Sequence, residues 1–453
     1  MASHRLEPVS PVPDDESAGP AAYGRDPTAG TRHLTSDLLS RIDAATVCED
    51  AFVFAYPLVL MELTRIQMTS VPAPDPSTMR APPNRLVHAR GQPGAGAGTL
   101  STSAWLDVAQ GPVVLSVPDT HGRYYLMSLI DMSTSVFASV GARTTGTGAG
   151  RYAIGLRGTS PSALPAGVLP IASPTRHVRI VGQTCLERGD DEADVRAVQD
   201  GYGLAPLSGR HGPPVAGDPG PPVERIDRLD AQAFFRLATR LFADNPPCGR
   251  DHGVVDRARR LGLFAGSRDA WLGGDPGLRR AAERGTSRGR AIVRAHAASV
   301  RGEMCGHWHI DYRRGRFGRD YLGRAAAARA PLGADVPEDT LPALTRTDAD
   351  GRPLTGSRRY VLRFGPDTPP PVHGFWALTV PDAGVSLGDR DGLTVDDDGS
   401  LSVLIQRERP ARARRSNWLP APPGDFTLVL RLYWPRDEVL ERRWTPPPVT
   451  LAG

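Results

Sequence analysis

Asp131 is the first side chain placed for acid–base chemistry. It follows an alternating segment, 123–130, which predicts a strand with Tyr125 and Asp131 on one face. A carboxylate at a strand end can act as a general base when its neighbours tune its pKa, and Tyr125 could donate a hydrogen bond beside it. Alternatively, Asp131 caps a turn by accepting hydrogen bonds from nearby backbone amides.

Asp107 is the second candidate carboxylate. It ends the string Ser103-Ala104-Trp105-Leu106-Asp107, in which Trp105 and Asp107 would share one strand face, so that Trp105 could contact a substrate held there. Together with Asp131 it could share a proton or hold a metal ion. The alternative is two independent, solvated carboxylates.

Arg143 and Thr144 form the candidate anion site. They precede a glycine-rich turn, and a guanidinium group beside hydroxyls and open backbone amides suits a carboxylate or phosphate. The alternative is an arginine that ties its loop to a carboxylate within the fold.

A third set of candidates lies near the C-terminus, where aromatic and polar side chains could line a groove between two modules. The candidate substrate-binding residues there are Trp376, Asn417, Trp418, Arg431 and Tyr433. The alternative is an inter-domain seam held by Arg431.

Cys305-Gly306-His307-Trp308-His309 contains the closest pair of histidines. On a strand, His307 and His309 would face the same way and Asp311 could join them on a metal, or the pair could simply be exposed. Because the spacing is not specific, we assign no metal ligand, and the sequence identifies no cofactor. Phosphate-loop, dinucleotide and zinc-protease motifs are absent from the sequence.

The elements that must position these residues are short strands separated by Gly/Pro turns, interrupted by a helical stretch. We therefore predict a mainly β protein, in which two β-sandwich or jelly-roll-like modules are joined by an α-helical region. The predicted divisions are a disordered arm at 1–34, a first module with an N-terminal helix at 35–204, a linker and helical region at 205–345, and a second module at 346–453.

Composition restricts the classes of partner. The 54 basic residues, all arginine, are nearly matched by 50 acidic ones and spread along the chain, which argues against a nucleic-acid-binding protein. No apolar run approaches the roughly 20 residues of a membrane span, and Pro57 interrupts the longest. Four scattered cysteines and the lack of a recognisable leader predict a cytoplasmic location.

Two groups of strings resemble known bacterial families. The segments "TLSTSAWLDVAQGPVVLSVPDTHGRYYLMSLID" and "VFASVGARTTGTGAGRYAIGLRG" resemble domain of unknown function 1254. The segments "PPVHGFWALT" and "NWLPAPPGDFTLVLRLYWPRDEVLERRWTPPPV" resemble domain of unknown function 1214. The resemblance implies two β-sandwich modules joined by helices, often in oligomers, and some members look like hydrolases.

The sequence also departs from the family pattern. A Pro-Asn-x-Asp-Thr-type string is replaced by residues 94–99, and an Asn-Arg-Tyr-Ser string is missing at 383–390. A changed or lost activity and a different substrate are both consistent with these departures.

Two classes of function follow from these candidates. The first is an enzyme that acts on a small organic molecule by hydrolysis or other acid–base chemistry in a cleft between the modules. Asp131 or Asp107 would be its base, Arg143 its anion clamp and Tyr125 a donor. The second is a non-catalytic small-molecule-binding or accessory protein; a tailoring enzyme of specialised metabolism is a further alternative. A homo-oligomer is possible in each case, and we expect no nucleic-acid or membrane partner.

Overall fold

The computed structural model describes residues 43–90, 98–160, 164–187, 191–212, 220–265, 275–329, 335–366 and 368–452. The predicted arm at 1–34 and most of the departing segment 94–99 lie outside these residues. Within them, two β modules and a helical region are present, which confirms the predicted fold class.

The first module consists of two packed sheets. Its strands are β1 (Val87–His88), β2 (Thr99–Asp107), β3 (Val113–Val117), β4 (Tyr125–Ile130), β5 (Val136–Gly141), β6 (Gly150–Leu156), β7 (Leu169–Ser173), β8 (His177–Cys185) and β9 (Gly203–Pro206). One sheet has the order β1-β2-β8-β4-β5 and the other β7-β6-β3-β9. Apolar side chains from both sheets, including Leu115, Met127 and Ile180, form one core.

Strand β4 shows the alternation that its sequence predicts. Tyr125 and Met127 point into the core between the two sheets, whereas Leu126 lies in a separate cluster on the outer face. The turn Asp119-Thr120-His121-Gly122 between the apolar runs 113–117 and 123–130 predicts a hairpin. This prediction is wrong, because β3 pairs with β6 and β9 while β4 pairs with β5 and β8. The turn at 119–122 therefore connects two sheets, a choice that strand alternation does not specify.

The second module also consists of two packed sheets. Its strands are β10 (Glu303–Cys305), β11 (Trp308–Ile310), β12 (Thr340–Thr345), β13 (Tyr360–Phe364), β14 (Val372–Val380), β15 (Val385–Gly388), β16 (Leu401–Gln406), β17 (Trp418–Pro420), β18 (Leu428–Pro435) and β19 (Val449–Leu451). The sheet orders are β10-β11-β12-β18-β14-β15 and β17-β16-β13-β19. Because β12 pairs with β18 along its whole length, the predicted boundary at 345/346 falls at the end of a strand of this module, and β10 and β11 extend the sheet into the predicted helical region.

The helices of the described residues are α1 (Ala44–Met68), α2 (Glu192–Asp200), α3 (Pro222–Arg228), α4 (Ala231–Asp244), α5 (His252–Arg260), α6 (Pro276–Ala298), α7 (Tyr321–Ala328) and α8 (Asp437–Leu440). Helices α1 and α3 to α7 cover one side of the first module, whereas α2 packs against the core of the first module and α8 against that of the second. The sequence predicts separate helices at 275–284 and 287–301, and the structure has the single helix α6 over most of both ranges. Its Gly285 and Gly289 let α1 approach closely, since a Cβ at Gly285 would lie 2.4 Å from the Ala45 carbonyl oxygen.

Helix α1 is the central element of this helical region. It does not end at Pro57, where the sequence predicts a kink or an end, but continues for another eleven residues. Its length and mean hydropathy would suit a membrane-crossing helix, yet 78% of the apolar window is buried within the protein. Phe52, Tyr56 and Leu60 are all fully buried among the neighbouring helices. Burial among the neighbouring helices therefore explains why α1 is so apolar.

Candidate functional site

The two β modules meet through the outer faces of their larger sheets. Phe375 on β14 lies opposite Tyr433 on β18, and directly paired residues of antiparallel strands share a face. Their rings stack with centroids 4.0 Å apart, and the ring of Tyr124 packs edge-on against both at 5.5 and 5.8 Å. All three rings are buried, so an aromatic contact closes this part of the junction.

Arg143 ties the two modules together beside these rings. Its Nε donates a 2.6 Å hydrogen bond to Oδ1 of Asp339, which is 1% exposed. Burial raises the pKa of the Asp339 carboxyl, and the Arg143 guanidinium opposes that shift. The Tyr124 hydroxyl and the backbone N–H of Trp434 both donate to the Asp339 carbonyl oxygen. Arg143 thus ties its loop to a carboxylate within the fold, which is the alternative to an anion-binding role.

A second buried aspartate, Asp335, lies in the same junction. Its Oδ1 accepts a 2.8 Å hydrogen bond from Ser128 Oγ and its Oδ2 a 3.0 Å hydrogen bond from Gln183 Nε2. Both donors project from the outer face of the first module's sheet. Sequence reasoning missed Asp335, although the string Asp335-Val336-Pro337-Glu338-Asp339 places three carboxylates within five residues of a proline-containing loop.

Two arginines bring surplus positive charge next to Asp335. Arg314 donates from its Nε to the Asp335 carbonyl oxygen at 3.2 Å, and Arg431 projects from β18 on the same face as Tyr433. Burial lowers the pKa of Arg314, Asp335 opposes this shift, and the like charge of Arg431 adds to it. Both arginines are half-buried, and Arg431 Nε is buried without a hydrogen-bond partner in the described parts of the chain. Asp311 and Arg301 add one further charge of each sign near Arg314, so positive charge remains in excess there.

Asp131 caps its own turn. Its Oδ1 accepts hydrogen bonds from the backbone N–H groups of Ser133 and Ser135 at 2.8 and 2.9 Å. Burial raises the pKa of Asp131 to about 6, against the opposing effect of these backbone donors and of Arg324. The contacts of Asp131 are therefore those of a turn-capping residue. Its pKa of about 6 is nevertheless well above that of a free aspartate.

Asp107 is held as a charged group at the same end of the sheet. Arg176 binds it with two hydrogen bonds of 2.9 and 2.8 Å, and His177 Nε2 lies 3.7 Å from it. Burial raises the pKa of Asp107, but His177, Arg176 and the Ala109 N–H outweigh that effect and hold it below its usual range. The carboxylate therefore stays ionised and is poorly suited to accept a proton.

The predicted base Asp131, the donor Tyr125 and the anion clamp Arg143 are not brought together. Asp131 follows one end of β4, whereas Arg143 follows the far end of its partner β5; six strand residues separate these ends by about 20 Å. Tyr125 faces the core between the sheets, where its hydroxyl contacts Thr145 Oγ1 at 3.1 Å. Thr144 donates to the Ser139 carbonyl oxygen at 2.8 Å.

The remaining candidates divide between the core and the junction. Trp376 packs in the second module's core against Phe364, with centroids 5.4 Å apart. Trp418 donates from Nε1 to the Gln406 carbonyl oxygen, and Asn417 is held by hydrogen bonds to backbone groups of residues 394 and 402. Trp105 is buried 6.0 Å below the Arg179 guanidinium. Of the predicted groove residues, Arg431 and Tyr433 face the junction.

The histidine pair lies on the β10–β11 hairpin and its turn. His309 pairs with Leu344 across the sheet, and Trp308 is fully buried. Within the described ranges, no group of three or more His, Cys, Asp and Glu side chains is arranged to hold a metal ion. The four cysteines are free thiols, and burial raises the pKa values of Cys48 and Cys185 to about 12.

The chain is similar to solved structures over most of its length. The VPA0106 protein from Vibrio parahaemolyticus matches 90% of this chain and 100% of its own at 22% identity, with a TM-score of 0.66. An uncharacterised protein from Burkholderia cenocepacia covers 93% of this chain and 96% of its own at 13% identity, with a TM-score of 0.43. The first likeness supports the fold alone. No curated protein matches the chain.

Two family models match in the order that the resemblance implies. Residues 80–206 match the protein of unknown function DUF1254, and residues 339–437 match the protein of unknown function DUF1214. The first match covers the strands of the first module, and the second covers strands β12 to β18. The chain therefore carries a region similar to DUF1254 followed by a region similar to DUF1214.

Proposed function

We propose that the protein binds a small organic anion at the junction of its two β modules, with Arg314 and Arg431 holding the anionic group. The observation that carries this proposal is the excess of positive charge around Arg314, where Arg431 and Arg301 add positive charge and Asp335 and Asp311 oppose it. Arg431 Nε has no hydrogen-bond partner among the described residues. Asp335 is itself occupied by Ser128 and Gln183. An incoming carboxylate would supply the counter-charge that Arg431 lacks.

The chemistry of arginine favours a planar oxyanion. A guanidinium group binds carboxylates and phosphates through parallel N–H donors, and such charge-assisted bonds are stronger than neutral ones. The Tyr433 ring beside Arg431 is buried against Phe375, so recognition would rest on the guanidinium groups and not on an aromatic wall.

Binding of small anions to the full-length protein tests the proposal. We would titrate acetate, benzoate, succinate and inorganic phosphate by calorimetry at low ionic strength. At least one should bind saturably, and Arg431→Gln and Arg314→Gln should each weaken it at least tenfold. Arg409→Gln, which changes an exposed arginine between β16 and β17, is the matched control. Unchanged affinity in Arg431→Gln, or equal loss in Arg409→Gln, contradicts the proposal.

A second candidate is acid–base catalysis on a small organic molecule, with hydrolysis as the simplest case. The observation that favours it is the pKa of Asp131, which burial raises to about 6, where a carboxylate exchanges protons readily. Hydrolysis of p-nitrophenyl acetate and butyrate by the wild type and Asp131→Asn tests it. Turnover that disappears in the variant while anion binding persists supports catalysis, and equal rates in both proteins exclude Asp131 as the base.

A further inference from the structure

A groove of about 480 Å³ opens on the helical region, away from the module junction. Side chains of α1, α5, α6 and the start of α7 line it, and no residue of either module's sheets does. Its volume lies in the range of sites that hold small molecules.

One wall of the groove is apolar and partly exposed. Val53, Val254 and Ile292 contribute to it from three different helices. The sequence predicts that Ile292 and Val293 share one face of their helix. This prediction is wrong, because Ile292 is 38% exposed while Val293 is fully buried. The exposed Ile292 side chain lies beside Val53 and Val254, and the hydrocarbon part of a ligand would remove this apolar surface from water.

The charges in the groove are unequally compensated. Asp50 pairs with Arg257 at 3.2 Å, and Asp320 accepts the Gly323 N–H at 2.8 Å at the start of α7. Glu49 is half-buried beside the valines, and within the described residues its carboxylate has no hydrogen bond or ion pair. Arg319, the other charged lining residue, is exposed. A half-buried charge gains more from a counter-ion than an exposed one, because water screens it less.

We propose that this groove binds a small organic cation with an apolar body, an alkyl- or arylammonium compound. The ammonium group pairs with Glu49, and the hydrocarbon covers Val53, Val254 and Ile292. The site is independent of the anion site proposed at the junction, because the two share no residue.

Three probes of equal chain length test the charge requirement on the full-length protein. Calorimetric titration with hexylammonium should show saturable binding at least tenfold tighter than 1-hexanol or hexanoate. Glu49→Gln should remove this preference and leave hexylammonium no tighter than hexanol, while Ile292→Ala should weaken hexylammonium several-fold. Because Glu49 has no hydrogen-bond or ion-pair partner among the described residues, Glu49→Gln should unfold at the wild-type temperature.

Glu283→Gln is the matched control, since Glu283 is an exposed glutamate of α6 outside the groove. It should bind hexylammonium as the wild type does. Tighter binding of hexanoate would assign the groove to anions at Arg319, and equal binding of hexylammonium and hexanol would leave an apolar site only. Each of these two results overturns the proposal. A lack of saturable hexylammonium binding, or a loss of binding in Glu283→Gln equal to that in Glu49→Gln, overturns it as well.

Discussion

Arg143 in the first module and Asp339 in the second are joined by a 2.6 Å contact between guanidinium and carboxylate, 196 residues apart in sequence. The Asp339 side chain keeps 2% of its exposure and that of Arg143 keeps 27%. The pair therefore lies inside the junction between the modules and not on the protein surface. It sets the position of the loop 335–339 against β5, and with it the position of Asp335.

Removal of Arg143 should destabilise the protein strongly. Arg143→Ala leaves the Asp339 carboxylate buried without its counter-charge, a defect that costs about 3–5 kcal/mol. Urea unfolding at pH 7 measures this loss. In Arg143→Met/Asp339→Leu, both charges are gone, so the double variant should be more stable than Arg143→Ala. If the two variants are equally stable, the Asp339 charge is not the cause.

Asp131 should make the protein less stable as the pH rises through 6. Its folded pKa is about 6, against about 3.9 in the unfolded chain, so its stabilising effect is present below pH 4 and lost as pH rises through 6. Asp131→Asn keeps an Oδ1 acceptor for Ser133 and Ser135 but carries no charge. It should therefore gain up to about 3 kcal/mol on the wild type between pH 4 and 7. Parallel stability curves for the two proteins would contradict this expectation.

Asp107 should show the opposite dependence on pH. Its folded pKa is depressed by its partners, so its contribution is present above the unfolded value of about 4 and lost as pH falls toward the folded one. Asp107→Asn should be less stable than the wild type at pH 7, and the difference should shrink in acid. Thermal unfolding from pH 7 to pH 2.5 measures it. A constant difference at every pH would rule out the charge of Asp107 as its origin.

Loss of a donor to Asp335 should destabilise the junction without disturbing either core. Ser128→Ala leaves Oδ1 of a buried carboxylate without its hydrogen-bond donor, which costs about 1–3 kcal/mol. Ser103→Ala is the matched control, because Ser103 is a buried serine on the same face of this sheet, two strands away on β2. Denaturant unfolding compares the two variants, and a loss in Ser103→Ala as large as in Ser128→Ala would contradict the assigned role.

Truncation of Phe375 should lower the free energy of unfolding more than loss of the Ser128 hydrogen bond does. Phe375→Ala removes a buried ring that stacks on Tyr433 at 4.0 Å, and such truncations cost about 3–5 kcal/mol. The midpoint of urea unfolding should fall accordingly. Phe137→Ala, which removes a half-buried ring on β5, serves as the comparison and should lose less.

Local pattern determined most strands and their faces. The alternation in 123–130 correctly separates Tyr125 and Met127 from Leu126 and Ser128, because side chains on a strand point to opposite faces in turn. The turn at 119–122 was recognised from its Asp and Gly. Its neighbours were nevertheless assigned to one hairpin, since alternation specifies which face is buried and not which strand lies alongside.

Tertiary structure alone decided which polar residues meet. Arg143 and Asp131 look close in sequence, yet the β4–β5 hairpin holds them at opposite ends, while Ser128 and Asp335 meet across 207 residues. The sequence by itself determined two β modules, a helical region and the family pairing, because strand periodicity, turn residues and family strings are local. The partners of each buried charge depend on how the outer sheet faces of the two modules dock, and no local sequence pattern specifies that docking.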